Sequence, residues 1–309
     1  MSLPAKNIDH YQLIEEVGVG GLGRVFRALD SHTGRYVAIK MLHDRFIQSR
    51  KFLGIFHREL LIVSRLHHKN IVSYLDGGFQ PPDCYIVTEF VEGSSLYALM
   101  KKSGRMPPIV ALCILIDMLQ GIDYLHLHDV IHSDLSAPNV LIQNNGRVLV
   151  TDFGLACQQE VEDYKNYMVG TPGYYSPEHV TESAIVPQTD LYCAGLILYE
   201  MLTASKAVPA SQDRKKVYQG MKKISLSQIQ SDDRKLSSML KKVLKGTLHI
   251  NPSKRVQTSE AMMFAVYSIL KQYNIRYARY AIEQYLIDQG FAEGELKVPK
   301  QDIYRGFVG

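Results

Sequence analysis

The sequence predicts an α+β fold in two parts, an antiparallel sheet with one helix followed by a mainly helical part. Over the first ninety or so of the 309 residues, short β-rich runs alternate with turn residues, whereas after Gly93 the apolar residues recur at helical spacing. Hydrophobic residues make up 46% of the chain, enough for a sizeable core. A small β part joined to a larger helical part is expected to place a cleft at the join, where ligands commonly bind.

Five runs in the first part have the length and composition of strands. They are residues 11–18, 23–30, 36–42, 71–78 and 85–92. One helix interrupts them within residues 56–66, where Leu60, Val63 and Leu66 lie near helical spacing. A short link around residues 90–93 ends this part.

The second part begins with a long apolar-periodic helix opened by Pro108, and further helical patterns follow at 191–202, 236–244 and 259–273. Beyond residue 273 a tyrosine-rich segment fits an amphipathic helix, with Tyr277, Tyr280 and Tyr285 among its residues. Packing of this helix on the helical part is the favoured interpretation. A partner-docking or dimer contact is the alternative.

Composition excludes several classes of protein. Lys and Arg total 35 against 31 Asp and Glu, a net charge of +4 that predicts no nucleic-acid binding. No run of about 18 consecutive apolar residues occurs, so no membrane span is expected in this segment. The four cysteines are scattered without a C-x-x-C pair, which argues against a disulfide framework or a zinc site and favours a reducing, cytoplasmic setting.

A glycine-rich loop lies between the first two predicted strands. Gly18, Gly20 and Gly23 follow the pattern G-x-G-x-x-G, in which glycines let backbone N–H groups approach phosphates, although a plain hairpin turn explains the triplet as well. The third strand then carries Val-Ala-Ile-Lys, and strand alternation places Ala38 and Lys40 on one face. Lys40 can therefore reach phosphate oxygens beside a flat base, and an ordinary surface lysine is the alternative.

Further motifs follow in a fixed order. HSDLSAPN occupies residues 132–139, TDFG residues 151–154 and GTPGYYSPE residues 170–178, and TDLYCAGLILYEMLT and NPSKR come later. Together with the glycine-rich loop and Lys40, this set resembles the eukaryotic-type (Hanks-type) protein kinase catalytic domain, most closely that of bacterial Ser/Thr kinases. The resemblance spans about residues 11 to 270.

The resemblance implies a protein-kinase-like bilobal fold with boundaries that can be stated. An N-terminal extension would occupy 1–10, the kinase N-lobe 11–91, the C-lobe 92–273 and a C-terminal helical extension 274–309. It also implies ATP and Mg²⁺ as cofactors and Ser/Thr hydroxyls of proteins as acceptors, since the GTPGY segment is of the Ser/Thr type and the chain has no Trp.

Family roles transfer to particular residues of this chain. Asp134 would accept the proton of the substrate hydroxyl, Asn139 and Asp152 would hold Mg²⁺, and Thr171 would bond the catalytic aspartate. Glu59 is expected to orient Lys40. A solvated helix carboxylate is the alternative for Glu59, and a plain turn residue for Thr171. The expected nucleotide-binding residues are Val17, Gly18, Gly20, Gly23, Val25, Ala38, Lys40, Thr88, Glu89, Val91 and Leu141.

Two departures from the family pattern change the expectations. Ser133 stands where most relatives have the arginine that pairs with a phosphorylated activation loop, and no Ser or Thr lies between Phe153 and Thr171. We therefore predict activity without activation-loop phosphorylation. Ser136 replaces the usual lysine, which predicts slow turnover or a substitute cation. These departures suggest one alternative, a nucleotide-binding pseudokinase scaffold. A small-molecule phosphotransferase is a further alternative, disfavoured because the GTPGYYSPE segment is a peptide-docking feature.

Overall fold

The N-terminal part folds into one antiparallel sheet whose strand order is β1-β2-β3-β4-β6-β5. The strands are β1 (Asn7–Ile8), β2 (Tyr11–Val19), β3 (Gly23–Asp30), β4 (Tyr36–Leu42), β5 (Tyr74–Gln80) and β6 (Asp83–Glu89). Strand alternation divides the side chains between two faces. One face forms a buried cluster that includes Phe26, Ala28, Ile39 and Val87.

A single helix, α1 (Arg50–Val63), lies between β4 and β5 and contacts β5. It begins earlier than the predicted 56–66 and buries Phe56, Glu59 and Val63. The last predicted strand runs from Asp83 to Glu89 rather than over 85–92, and Ile71 to Ser73 precede rather than form the strand β5. The predicted class, an antiparallel sheet with one helix before a mainly helical part, is confirmed.

The computed structural model describes residues 7–158 and 170–293, and the chain separates into two units. The first unit comprises Met1–Glu92 together with Asp152–Ala156, and the second comprises Gly93–Thr151 and Cys157–Gly309. The short segment Asp152–Ala156 thus belongs to the sheet-containing unit, although it lies within the predicted C-lobe range 92–273. Its assignment matters because it carries Asp152.

The second unit is mainly helical. Its helices are α2 (Leu96–Ser103), α3 (Pro108–Leu127), α4 (Pro177–Thr181), α5 (Pro187–Thr203), α6 (Arg214–Met221), α7 (Arg234–Thr247), α8 (Ser259–Gln272) and α9 (Ala278–Asp288). Short strands form two small antiparallel sheets, β7 (Gly93–Ser95) with β9 (Val140–Gln143) and β10 (Val148–Val150), and β8 (Val130–Ile131) with β11 (Cys157–Gln158). These strands frame the loop that carries Asp134 and Asn139.

Helix α3 is the centre of the second unit and contacts α5, α8 and α9. By length and composition it is apolar enough to cross a membrane, but 67% of its most apolar window is buried within the unit. That burial is typical of a core helix. Helix α9 contacts α3, so it packs on the helical part, as the favoured interpretation of the tyrosine-rich segment predicted. Its buried residues are Ala281, Ile282, Tyr285 and Leu286.

Candidate active site

The register of the first unit's sheet places the predicted nucleotide-binding side chains together. Val25 lies opposite Lys40 on β3 and β4, and Ala38 lies opposite Thr88 on β4 and β6. Directly opposed residues of an antiparallel pair share a face, and this face is the one opposite the buried cluster of Phe26 and Ile39. One face of the sheet therefore builds the core while the other presents Val25, Ala38, Lys40 and Thr88.

Other predicted nucleotide-binding positions lie around this row. Val17, Gly18 and Gly20 fall on or just after β2, and Gly23 opens β3, where an added Cβ would collide with the Met41 carbonyl. Val91 follows β6. Glu89 donates its backbone N–H to the Ser73 carbonyl at 2.9 Å, so that N–H is not the group that would meet a base. Leu141 lies on β9 in the second unit.

Lys40 is held by two carboxylates within the first unit. Its Nζ lies 2.6 Å from Glu59 Oε1 and 2.6 Å from Asp152 Oδ1. Glu59 is buried in α1, whereas the side chain of Asp152 is 41% exposed. The structure thus brings Lys40, Glu59 and Asp152 together, and Glu59 is not a solvated helix carboxylate.

The two buried groups of this cluster have shifted pKa values. Burial lowers the pKa of Lys40, but the charges of Asp152 and Glu59 outweigh it, so the net pKa lies above the usual range and the ammonium stays charged. Burial raises the pKa of Glu59, and the Lys40 ammonium opposes this rise. The second oxygen of Glu59, Oε2, is buried without a hydrogen-bond partner in the described structure.

Gly154 packs directly against the charged cluster. A Cβ at this position would lie 3.3 Å from Asp152 Oδ1, 3.3 Å from Glu59 Oε2 and 3.4 Å from Lys40 Nζ. Asp152 itself has a left-handed φ of 64°, a conformation that Asp tolerates better than most residues. The absence of a side chain at Gly154 is therefore what leaves room for the three charged groups.

Asp134 is held by two groups of the second unit. Its Oδ1 accepts a hydrogen bond from the Thr171 backbone N–H at 2.8 Å, and Asn139 Nδ2 donates to the Asp134 carbonyl at 3.0 Å and to Oδ2 at 3.3 Å. Thr171 therefore contacts the predicted base through its backbone. These bonds fix the direction of the carboxylate and of the Asn139 amide.

Asp190 supports the loop that carries Asp134. This buried carboxylate, near the start of α5, accepts from the N–H groups of His132 at 2.9 Å and Ser133 at 3.0 Å, and His126 Nε2 lies 2.9 Å from it. Burial raises the pKa of Asp190, but the His126 contact and the other donors outweigh this, so the net pKa lies below the usual range. Asp190 therefore stays ionised while it orders the loop.

A buried ion pair anchors the segment after Thr171. Arg255 Nη1 lies 2.7 Å from Glu178 Oε1, and Arg255 also donates to the carbonyls of His249, Gln188 and Ile250. A buried charge costs free energy unless it is paired and hydrogen-bonded, and here the guanidinium has both kinds of partner. The pair expected from the SPE and NPSKR motifs is present.

The predicted metal ligands have the donor chemistry that Mg²⁺ prefers, namely carboxylate and amide oxygens. Asn139 Nδ2 donates hydrogen bonds to Asp134, so the amide oxygen of Asn139 is the atom that can bind a cation. Asp152 contributes a carboxylate that is open to solvent. The residues therefore fit the ion that the resemblance implies.

A second group of metal-binding residue types occurs in the first unit, formed by His10, Asp30 and His32. The two imidazoles stack at 4.0 Å with an interplanar angle of 3°, so their in-plane lone pairs run parallel and do not meet at one point. Asp30 accepts from the His32 N–H at 2.8 Å and the Thr33 hydroxyl at 2.6 Å. We interpret this group as a stabiliser of the turn after β3.

Sequence reasoning missed one residue beside the catalytic loop, His179. Its Nε2 lies 2.8 Å from the Ser133 carbonyl, and its Nδ1 accepts from the N–H of Ser176. The signal was available, because Ser176 and His179 have the three-residue spacing of a capping box at the start of α4. The acidic residues of the activation loop lie outside the described residues, as do Tyr164 and Tyr167. From the sequence they are expected to form a solvated face, with a role in holding the loop as the alternative; they are Glu160, Glu162 and Asp163.

Comparisons with known proteins agree with this geometry. The protein kinase domain model matches residues 11–266. A probable serine/threonine-protein kinase of Clostridium perfringens is 31% identical over 86% of this chain and 39% of its own length. The probable kinase PknB of Lactococcus lactis is 37% identical over 63% of this chain and 32% of its own length, and PrkC of Bacillus subtilis is 34% identical over 62% and 30%.

The chain thus spans between about a third and two fifths of the length of these curated relatives. The family match, by contrast, covers most of the chain and includes every motif from the glycine-rich loop to NPSKR. By that match, and by the order of its motifs, the chain belongs to the protein kinase domain family.

Proposed function

We propose that this chain is an ATP- and Mg²⁺-dependent protein kinase that transfers the γ-phosphoryl group to Ser or Thr hydroxyls of proteins. The observation that supports this best is the Lys40 ammonium bonded at 2.6 Å to both Glu59 and Asp152. A charged lysine between a buried carboxylate and one that is 41% exposed is the kind of arrangement found at functional sites. The names of the relatives support the Ser/Thr class.

In this proposal each charged group has one task. Lys40 binds phosphate oxygens, and Glu59 keeps its ammonium in place. Asp134 Oδ2 accepts the proton of the substrate hydroxyl while its Oδ1 is held by the Thr171 N–H, so the base is oriented before the substrate binds. Mg²⁺, held through Asn139 and Asp152, would offset negative charge on the phosphates.

The test is phosphate transfer from labelled ATP·Mg²⁺ to a generic protein substrate by the wild type, Asp134→Asn and a matched control, Asp232→Asn. Asp232 is an exposed carboxylate of the second unit. We expect the wild type and the control to transfer label and Asp134→Asn to lose at least a hundredfold in rate while it still binds ATP. Equal transfer by all three would exclude Asp134 as the base.

The pseudokinase scaffold suggested by Ser133 and Ser136 remains the second candidate. Ser136 is fully buried, and its hydroxyl has no hydrogen-bond partner in the described structure, so it supplies no cation to the phosphates. ATP binding without transfer by any of the three proteins would favour the scaffold. Lys40, Glu59, Asp134, Asn139 and Asp152 together favour the enzyme, since a scaffold needs no base.

We further propose that activity does not require activation-loop phosphorylation and that this segment works in the cytoplasm. Ser133 is buried and offers no cation to a phosphate. The four cysteines are buried free thiols, which suits a reducing compartment. Protein substrates are the proposed partners, with no role for nucleic acid or for a membrane in this segment. A docking role for α9 also stays a prediction.

A further inference from the structure

We propose that His179 is a positioning residue for phosphate transfer, which holds the catalytic loop by donating a hydrogen bond from Nε2 to the Ser133 carbonyl. The inference rests on the proposed function of Asp134, because Ser133 directly precedes that base. The 2.8 Å bond connects the first turn of α4 to the catalytic loop across 46 positions of sequence.

Ser133 needs such support because its backbone is strained. Its φ is 63°, in the left-handed region that residues other than Gly adopt only at a cost in free energy. Three contacts hold it: its N–H donates to Asp190 Oδ1 at 3.0 Å, its hydroxyl lies 3.3 Å from Cys157 Sγ, and its carbonyl meets His179. Asp190 holds the amide side of Ser133, and His179 holds the carbonyl side, next to Asp134.

The surroundings of His179 fix its protonation. The Ser176 backbone N–H donates to Nδ1 at 3.1 Å, and the Ser176 hydroxyl lies 2.8 Å from the same atom, so Nδ1 is an acceptor. The Ser133 carbonyl can only accept, so Nε2 carries the proton. The imidazole is therefore neutral, and both of its nitrogens are hydrogen-bonded.

This tether does not depend on phosphorylation. In the resemblance, an arginine at position 133 would pair the catalytic loop with a phosphorylated residue of the activation loop, a bond that exists only after phosphorylation. His179 instead connects the loop to α4, whose Glu178 is paired with the buried Arg255. This connection needs no phosphate, so it can hold the catalytic loop whether or not the activation loop is phosphorylated.

Acid is expected to weaken the tether. A proton on Nδ1 would face the Ser176 N–H donor, and the loss of solvent around the ring lowers the pKa of His179 below its ordinary range. The charged groups that act on the ring are Glu178 and Asp190, which favour protonation, and Arg255, which opposes it. The Tyr175 ring lies 6.3 Å away. Because the pKa of His179 is lowered, the tether should persist through neutral pH and fail only at a pH below the ordinary range in which histidine titrates.

The experiment compares wild type, His179→Gln, His179→Ala and His128→Ala, a control at an exposed histidine of the same unit. Gln can place an amide N–H where Nε2 lies but does not titrate. We expect His179→Ala to lose at least tenfold in kcat with an unchanged KM for ATP, and His179→Gln to retain kcat and lose the acid limb of its pH profile. His128→Ala should match the wild type.

Amide hydrogen exchange of Ser133 and Asp134 gives a readout without activity. In His179→Ala these amides should exchange at least tenfold faster, while the amides of α5 keep their protection. If exchange and kcat match the wild type, or if Gln and Ala lose kcat equally, the proposal is wrong. If the wild type binds ATP and transfers no phosphate, the proposed function fails, and the exchange result alone then decides the role of His179.

Discussion

At the scale of single residues, the first unit places three charges around one glycine. Lys40 has a carboxylate on each side, and only Asp152 is substantially open to solvent. An enclosed cluster with two negative groups and one positive group costs desolvation free energy that its hydrogen bonds offset only in part. Such an arrangement is typical of a site kept for function.

Replacement of Glu59 by Gln tests this conflict between stability and function. The folded pKa of Glu59 is raised by burial, so its contribution to stability is complete in acid and is lost as the pH rises from about 4.3 through the raised value. We expect Glu59→Gln to lose at least tenfold in transfer rate. We also expect its free energy of unfolding relative to wild type, measured with urea, to be more favourable at pH 7 than at pH 4. Glu92→Gln, at an exposed position, is the control. A variant that is relatively less stable at pH 7 would contradict the assignment.

Gly154→Ala probes the same cluster sterically. Its Cβ would lie within 3.4 Å of a polar atom of each charged side chain, so at least one of them must move. We expect at least a tenfold fall in transfer rate, about 1.4 kcal/mol in barrier. Gly54→Ala, at an exposed position of α1 where an added Cβ meets nothing within 4 Å, is the matched control. Equal rates for the two variants would mean that the cluster tolerates displacement.

At the scale of elements, the buried pair between α4 and the residues before α8 is the strongest anchor to test. Removal of one partner leaves the other buried and unpaired, so Arg255→Ala should lower the free energy of unfolding by about 3–5 kcal/mol. Arg214→Ala breaks the more exposed pair with Glu182 and should cost less than about 1 kcal/mol. Denaturant unfolding of both variants gives the comparison, and a similar small loss in each would argue against the anchor.

The sequence predicted elements better than it predicted contacts between them. Strand β4 was predicted with its observed ends because alternating apolar residues stand between turn signals. Helix α1 begins six residues before the predicted start, because the prediction rested on Leu60, Val63 and Leu66 and left out the apolar residues from Phe52 to Ile55. Asp134 and Lys40 were found through motifs whose residues are close in sequence. The bonds of Ser133 to Cys157, His179 and Asp190 span 24 to 57 positions, and no local pattern reports such distances.

At the scale of the whole molecule, the departures from the family pattern belong together. Ser133 stands in place of the arginine that would bind a phosphate on the activation loop, and the chain has no Ser or Thr between Phe153 and Thr171. Asp190 and His179 hold the catalytic loop through contacts that need no phosphate. Each feature alone is compatible with a phosphorylated loop. Together they support the proposal that activity does not require activation-loop phosphorylation.

The double variant Tyr164→Phe and Tyr167→Phe tests this conclusion, because these are the hydroxyl-bearing residues between Phe153 and Thr171. Since position 133 has no cation that could pair with a phosphate, we expect the double variant to transfer phosphate within about threefold of the wild-type rate, before and after phosphatase treatment. Asp134→Asn supplies the inactive reference. A loss above about tenfold, or 1.4 kcal/mol in barrier, would show that a loop phosphate or a tyrosine hydroxyl is needed. A loss on phosphatase treatment of wild type alone would assign that need to the phosphate, because the double variant has no tyrosine hydroxyl between Phe153 and Thr171 to modify.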